Sequence, residues 1–380
     1  MAEETVTKAV ASIMGDIKSP NILVMGAIGA GKSSLINAVF GKEPAKVGAG
    51  LPVTKSFNYY SNSIVNIYDS AGYQLSEGKT FVENIIEFLQ TKEKLGIEEQ
   101  IHLVWYLINA ASARVEFFEI NIINQLRKRK IPLIIVISQC DRASAEEIKS
   151  VKNILADFGI TPESDLIEIA ASPLIFKGKP ISETFGLEEL VAKSIEHLPA
   201  IYADAVRMAQ IVNLKSKREL AWKLIVTAAT ASFGSAWIPI PGATTGTTLA
   251  VQASLSISIA SIYGFGKARE FLSRIYQGTP TESALRFAGT TLGLDILRSL
   301  IPIVGSLVAA GTSATYIVVL GLAYTSAFEA MAKAHIDPND TATINSFLTT
   351  VLKQEFEKYT DIAIKTKEDL ANFKNIFINK

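Results

Sequence analysis

The sequence predicts an α/β P-loop domain, a mostly parallel sheet flanked by helices, followed by an all-α helical domain that also takes up an N-terminal helix. Three observations carry this. From residue 20 to 199, short apolar runs alternate with amphipathic helical periods. Gly26-Ala27-Ile28-Gly29-Ala30-Gly31-Lys32-Ser33 fits the phosphate-loop pattern G-x-x-x-x-G-K-S/T between an apolar run and a helical period. After Pro199 strand-like alternation stops, and helical signals run on to Lys380.

The elements follow in order. Val6, Ala9, Val10, Ile13, Met14 and Ile17 recur at helical spacing, so 1–19 reads as an amphipathic helix that packs on the helical domain, ended by Ser19-Pro20. Residues 22–25 read as a buried strand, and 33–40 as the helix after the phosphate loop, with Gly41 placed to end it. Further strands are predicted at 56–60, 64–68, 102–109, 133–138 and 166–170. Helices are predicted at 79–91, 115–129, 145–158 and 187–197, the last closed by Pro199. The expected domains are therefore 1–19, 20–199 and 200–380.

A chain of 380 residues suits two domains. With 37 basic and 37 acidic residues, net charge is zero, and no basic stripe favours nucleic acid as a partner. One cysteine excludes an internal disulfide framework and a multi-cysteine metal site, and His102, His197 and His335 are too scattered to form a ligand pattern. The acidic start Met1-Ala2-Glu3-Glu4 precedes no apolar leader core, so a cytoplasmic setting, peripheral at a membrane, is expected.

Mean hydropathy is +0.27, high for a soluble chain. The excess sits in two segments without a charge, 224–266 and 299–328. They carry the related pentapeptides Ile238-Pro239-Ile240-Pro241-Gly242 and Ile301-Pro302-Ile303-Val304-Gly305, which read as the breaks of two apolar helical hairpins. The second segment is long enough to span a bilayer. Both, however, are rich in small and hydroxyl residues, among them Gly305, Gly311, Thr247, Ser254, Ser256 and Ser258. We read them as the core of a soluble helical domain, with membrane insertion as the alternative.

The phosphate loop assigns Gly26, Gly29, Ala30, Gly31, Lys32, Ser33 and Ser34 to a nucleoside triphosphate. Backbone N–H groups turn toward the phosphates, Lys32 reaches the β- and γ-phosphates, and the Ser33 hydroxyl holds Mg²⁺. Asp69-Ser70-Ala71-Gly72 ends a strand as a D-x-x-G element: Asp69 holds Mg²⁺ through water, and the Gly72 N–H contacts the γ-phosphate. Between the two, Thr54 lies in a Gly-rich stretch and is read as a Mg²⁺ ligand that lets go after hydrolysis. Ser138-Gln139-Cys140-Asp141 ends an apolar strand. The Asp141 carboxylate accepts the paired N1 and N2 donors of guanine, which adenine lacks; Gln139 lies along the base and ribose. Ala171 and Ser172, after the last strand, supply a backbone N–H to the guanine O6. Lys32, Thr54 and Gly72 are the expected catalytic groups; Cys140 reads as an inert filler.

This order of motifs, from about Asn21 to Pro199, resembles a translation-factor-class (TRAFAC) GTPase domain of the Era-like kind, including the close at Gly186-Leu187-Glu188-Glu189-Leu190 and Leu198-Pro199. The loop Gly26-Ala27-Ile28-Gly29-Ala30-Gly31-Lys32-Ser33-Ser34-Leu35-Ile36-Asn37 resembles immunity-related and dynamin-related GTPases. The C-terminal half looks like the membrane-associated helical domain of the bacterial YcjF type. The resemblance implies a GTP-hydrolysing switch using GTP/GDP and Mg²⁺, a homodimer across the GTPase domains, and engagement of a partner or membrane surface through the helical domain. Three departures matter. Ser138-Gln139 replaces the family's Asn-Lys or Thr-Lys, Tyr73 stands where Ras-like enzymes place a water-orienting glutamine (Gln74 is one residue late), and Gly29 replaces the asparagine of potassium-activated relatives. Slow intrinsic hydrolysis, activated by a second copy, is expected. The rival readings are a nucleotide-gated binding module with negligible hydrolysis, an integral membrane protein with a cytosolic GTPase head, and an RNA- or ribosome-linked GTPase, which the neutral charge opposes.

Overall fold

In a computed structural model of the chain, the described residues are 2–41, 57–61, 64–70, 78–160, 165–232, 246–265, 313–338, 340–359 and 362–378. The chain divides into two units, one of residues 18–213 and one of Met1–Ile17 with Leu214–Lys380.

The first unit is a six-stranded sheet of order β2-β3-β1-β4-β5-β6. Its strands are β1 (Asn21–Gly26), β2 (Phe57–Ser61), β3 (Asn66–Ser70), β4 (Leu103–Asn109), β5 (Leu133–Ser138) and β6 (Leu166–Glu168). All neighbours run parallel except β2, which is antiparallel to β3. Every residue of β1 is buried, as are six of seven in β4, from Leu103 to Ile108. A parallel strand covered by helices on both faces has no polar side, which is why these strands appear in the sequence as unbroken apolar runs. One face packs Leu23, Met25, Tyr106, Ile108, Ile135 and Ile137 against Ile85, Leu89, Ile123 and Leu155 of the helices α3 (Gly78–Lys94), α4 (Phe117–Lys128) and α5 (Ala145–Asp157). On the other face Trp105 stacks on Phe40 of α2 (Lys32–Phe40) at 5.8 Å. It also donates its indole N–H to Ser194 of α6 (Leu187–His197) at 3.0 Å.

Three sequence expectations shift. β3 starts and ends two residues later than predicted. Its pairing begins at Asn66 opposite Asn21, which places Asp69 inside the strand opposite Val24. A short hairpin, β7 (Ile175–Phe176) with β8 (Lys179–Pro180), adds to the predicted elements. Its turn residues Lys177 and Gly178 both have positive φ, 48° and 78°, the conformation two-residue hairpin turns favour. Finally, the domain boundary falls after Asn213 rather than Pro199, because α7 (Ala200–Ala209) belongs to this unit. Pro199 ends α6 but also N-caps α7, whose Tyr202 packs on His102 at 4.1 Å, and the Ile211 N–H bonds to Val39 O at 2.9 Å. The N-terminal segment likewise joins its unit as Met1–Ile17 rather than 1–19.

The second unit is helical in its described residues. Its helices are α1 (Ala2–Gly15), α8 (Leu214–Ser232), α9 (Gly246–Ile262), α10 (Ser313–Lys333), α11 (Thr341–Glu357) and α12 (Lys367–Ile378). α1 packs on α8 and α9; α10 packs on α8, α9 and α11. Among the described residues α10 alone is long and apolar enough to cross a bilayer, and 89% of its most apolar window is buried within the chain. Gly321 lets α10 meet α8 closely: a Cβ there would stand 2.4 Å from Ile225 Cγ1. Hydroxyls that would be awkward in lipid find local acceptors, Thr325 on Gly321 O at 2.7 Å and Ser232 on Ala229 O at 2.6 Å. The two Ile-Pro-Ile breaks, 238–242 and 301–305, lie outside the described residues.

Lys217 of α8 is buried and donates to Ile262 O at the end of α9, 2.5 Å away, below the Tyr263 ring. Burial pushes its pKa down from 10.5 to about 7. Between those values the unfolded chain holds a proton that the folded one releases, so stability rises with pH across that window. We expect the helical unit to resist urea better at pH 9 than at pH 7. Lys217→Met is expected to flatten this slope, measured by urea denaturation at both pH values. An unchanged slope in the variant would assign the pH dependence elsewhere.

Candidate nucleotide site

The site forms where β1, β3, β5 and β6 end. β1 stops at Gly26, where a Cβ would meet Leu107 O at 2.5 Å, so no larger residue fits between the sheet and the loop. The chain then turns through Gly29 and Gly31, with φ of 78° and 88°, and enters α2 at Lys32. The first N–H groups of that helix have no partner inside it and face the loop, an arrangement suited to anions.

Lys32 is only 8% exposed. Its ammonium donates to Gly26 O at 3.0 Å and Ala27 O at 3.1 Å, so the loop curls around a cation. Burial lowers the Lys32 pKa, while the nearby Asp69 carboxylate opposes the shift. Asp69 is buried in β3. Burial raises its pKa, and Lys32 and the Ser33 hydroxyl pull the other way. Ser33 Oγ lies 3.4 Å from Asp69 Oδ2, and Asp69 Oδ1 has no hydrogen-bond partner. An orphaned, buried carboxylate oxygen beside a hydroxyl is a hard-oxygen donor set, and it fits Mg²⁺ held jointly with phosphates. Among the described residues no cluster of three acidic, His or Cys side chains offers a separate metal site.

The second half of the site joins the base-facing residues to the loop. Ser138 Oγ donates to Ala30 O at 2.7 Å. Gln139, at φ 57°, donates through Nε2 to Gly29 O at 2.5 Å. The residues standing in for Asn-Lys are therefore spent on the loop's own carbonyls. Cys140 is buried, and burial pushes its thiol up to about 11, which leaves it protonated and inert. Ala30, Gly31, Ser34, Ser138, Gln139, Asp141, Arg142, Ala171 and Ser172 line one cleft.

The structure thus gathers the predicted Gly26, Gly29, Ala30, Gly31, Lys32, Ser33, Ser34, Asp69, Gln139, Asp141, Ala171 and Ser172 around the ends of these strands. Thr54 and Gly72 lie outside the described residues, as do Tyr73 and Gln74. Sequence reasoning missed Arg142, next to the base motif, and Ser182, whose hydroxyl lies 2.9 Å from Asp141 Oδ2. No motif marks Ser182, which is 41 residues from its partner.

The profile of a family described as 50S ribosome-binding GTPase matches residues 21–139. The chain is similar to the probable GTP-binding protein EngB of Ehrlichia canis (strain Jake), 30% identical over 152 residues, covering 38% of this chain and 74% of that protein. It is also similar to EngB of Aquifex aeolicus (strain VF5), 29% identical over 153 residues, covering 38% of this chain and 81% of that protein. EngB of Caldanaerobacter subterraneus subsp. tengcongensis is 28% identical over 158 residues, covering 40% of this chain and 78% of that protein. A solved structure of a probable GTP-binding protein engB aligns at 20% identity and TM-score 0.34, covering 47% of this chain and 97% of that one.

Proposed function

The chain belongs to the P-loop GTPases of the translation-factor class, the family of the EngB GTP-binding proteins, and on that premise we propose that it is a slow guanine-nucleotide switch whose helical unit reports the nucleotide state. One observation supports the reading above the rest. A buried lysine is wrapped by carbonyls of its own glycine loop, beside a buried acid with an unpaired oxygen. That arrangement suits a phosphate chain and a divalent ion.

In this reading Lys32 exchanges its loop carbonyls for β- and γ-phosphate oxygens and holds their charge as the terminal bond lengthens. Ser33 and Asp69 would hold Mg²⁺, which neutralises phosphate charge when bound. Thr54 joins them when the γ-phosphate is present, and Gly72 senses that phosphate. Asp141 selects guanine over adenine, and Ala171 and Ser172 cap its O6. Tyr73 in the glutamine position supports slow turnover and activation by a second copy. A resemblance to immunity-related and dynamin-related GTPases rests on the loop sequence and on the order of α1, nucleotide unit and helical unit. It extends the proposal to nucleotide-controlled self-association, with a membrane surface or protein as the further partner and a cytoplasmic, peripheral location.

The test is GTP turnover per molecule as a function of the protein's own concentration, with Asp141→Ala as control. Turnover that rises with concentration supports self-activation. A flat, near-zero rate with GTP still bound would instead make the chain a nucleotide-gated binding module. Asp141→Ala is expected to weaken GDP binding by about 10²-fold, since it removes a charged acceptor of two hydrogen bonds. A second reading, engagement of the large ribosomal subunit, is favoured by the description of the matching family. Co-sedimentation with 50S particles in GTP against GDP tests it.

A further inference from the structure

Asp141 can select guanine only if its carboxylate plane is held against the base edge. Two N–H donors in a line need both oxygens, or one well-placed oxygen, at a fixed angle. The terminal torsion of an aspartate is broad and roughly two-fold, so a carboxylate with no side-chain partner samples many orientations. The neighbours in the base motif do not restrain it: Ser138 is bonded to Ala30 O and Gln139 to Gly29 O. Ala170 and Ala171, after the adjoining strand, have no hydroxyl to offer, and Ser172, which lines the same cleft, makes no hydrogen bond to the carboxylate among the described residues.

We propose that Ser182, carried by the β7–β8 hairpin, is a specificity-determining positioning residue that fixes the Asp141 carboxylate for guanine; the inference rests on the guanine-nucleotide reading above. The Leu174 N–H donates to Ser182 Oγ at 2.7 Å, which occupies a lone pair, and the hydroxyl proton then points to Asp141 Oδ2 at 2.9 Å. A carboxylate offers about four acceptor sites, so one is used for orientation and the others remain for the base.

The hairpin that carries Ser182 is itself anchored. Ile181 N–H bonds to Leu174 O at 2.8 Å, and Ala170 and Phe185 exchange both backbone bonds at 3.2 Å. Those bonds use main-chain atoms only. Removing the Ser182 hydroxyl keeps these main-chain bonds, takes the acceptor from the Leu174 N–H and releases the carboxylate.

Hypoxanthine differs from guanine by lacking the exocyclic N2 donor, so a nucleotide carrying it depends less on carboxylate orientation. GDP and IDP binding to the full chain are measured by calorimetry for the natural protein, Ser182→Ala, Ser182→Thr and Ser182→Cys. We expect Ser182→Ala to weaken GDP about tenfold, the loss of one hydrogen bond to a charged group, and IDP about twofold or less. The preference for GDP over IDP then falls about fivefold. Ser182→Thr, which keeps the hydroxyl, is expected to restore the preference, and Ser182→Cys, a weak donor of similar size, is not. Equal losses for GDP and IDP, or no loss, would overturn the proposal, as would full preference in the cysteine variant. If Ser182→Ala melts early, the threonine–cysteine pair decides. A natural protein that binds GDP no better than IDP would overturn the guanine reading itself, and that arm is separate from the variants.

Discussion

Lys32→Met is expected to lower single-turnover GTP hydrolysis by at least about 10²-fold, while the nucleotide-free protein melts within a few degrees of the natural chain. The two halves of this prediction share one cause. Lys32 is buried before any phosphate arrives, and the carbonyls of Gly26 and Ala27 replace water around its charge. Burying a cation costs more than burying a thioether, and the two carbonyls left behind tolerate partial satisfaction better than an N–H would. Removing the charge therefore costs the empty fold little. It also removes the opposite charge near Asp69, whose pKa is expected to rise further, weakening any Mg²⁺ held there. Hydrolysis, GDP titration and a melting curve on the same preparation check it. A variant retaining turnover within tenfold of the natural protein would remove Lys32 from the reaction.

Gly186→Ala is expected to destabilise the nucleotide unit by about 3 kcal/mol or more, a fall of roughly 6–12 °C in its melting transition. Gly186 caps the start of α6 with φ 75°, and a Cβ there would stand 2.0 Å from Glu168 O and 2.9 Å from Ile169 Cγ2. Neither neighbour can yield easily. Glu168 is paired with Ile137 in the sheet, and Ile169 N–H is bonded to Ile137 O at 2.8 Å. The strain would pass to Phe185 and the hairpin behind it, so GDP affinity is expected to fall along with stability. A melting point within 1 °C of the natural protein would show that the helix start shifts freely.

The sequence disclosed what burial on both faces and special backbone geometry impose. β1, β4 and β5 are legible because covered parallel strands are apolar throughout. The phosphate loop, Asp69 and Asp141 are legible for a different reason. A glycine-rich turn, or an acid inside or just past a buried strand, costs the fold stability unless a ligand uses it. β3 reads two residues early because Ile64 and Val65 look like strand, while the buried Asp69 and Ser70 look like loop. The β7–β8 hairpin is hidden by Pro180 and by apolar residues that face solvent, Ile175 and Phe176 among them. α7 lies in a stretch that reads as helical, but periodicity does not tell which unit a helix packs on. Ser182 is illegible for a related reason: its role depends on a distant partner rather than on a pattern along the chain.

Order of synthesis gives the two-part helical unit a further consequence. That unit is assembled from both sides of the nucleotide unit, since α1 precedes it and α8 follows it. During synthesis the apolar face of α1, with Val6, Val10, Ala11 and Met14, emerges roughly 200 residues ahead of the helix it packs on. At about 5–20 residues per second that is a wait of roughly 10–40 s. The whole nucleotide unit, Lys18 to Asn213, is made in that interval, and the rest of the helical unit follows it. Until α8 is made, the apolar face of α1 is without the helix that covers it in the finished chain.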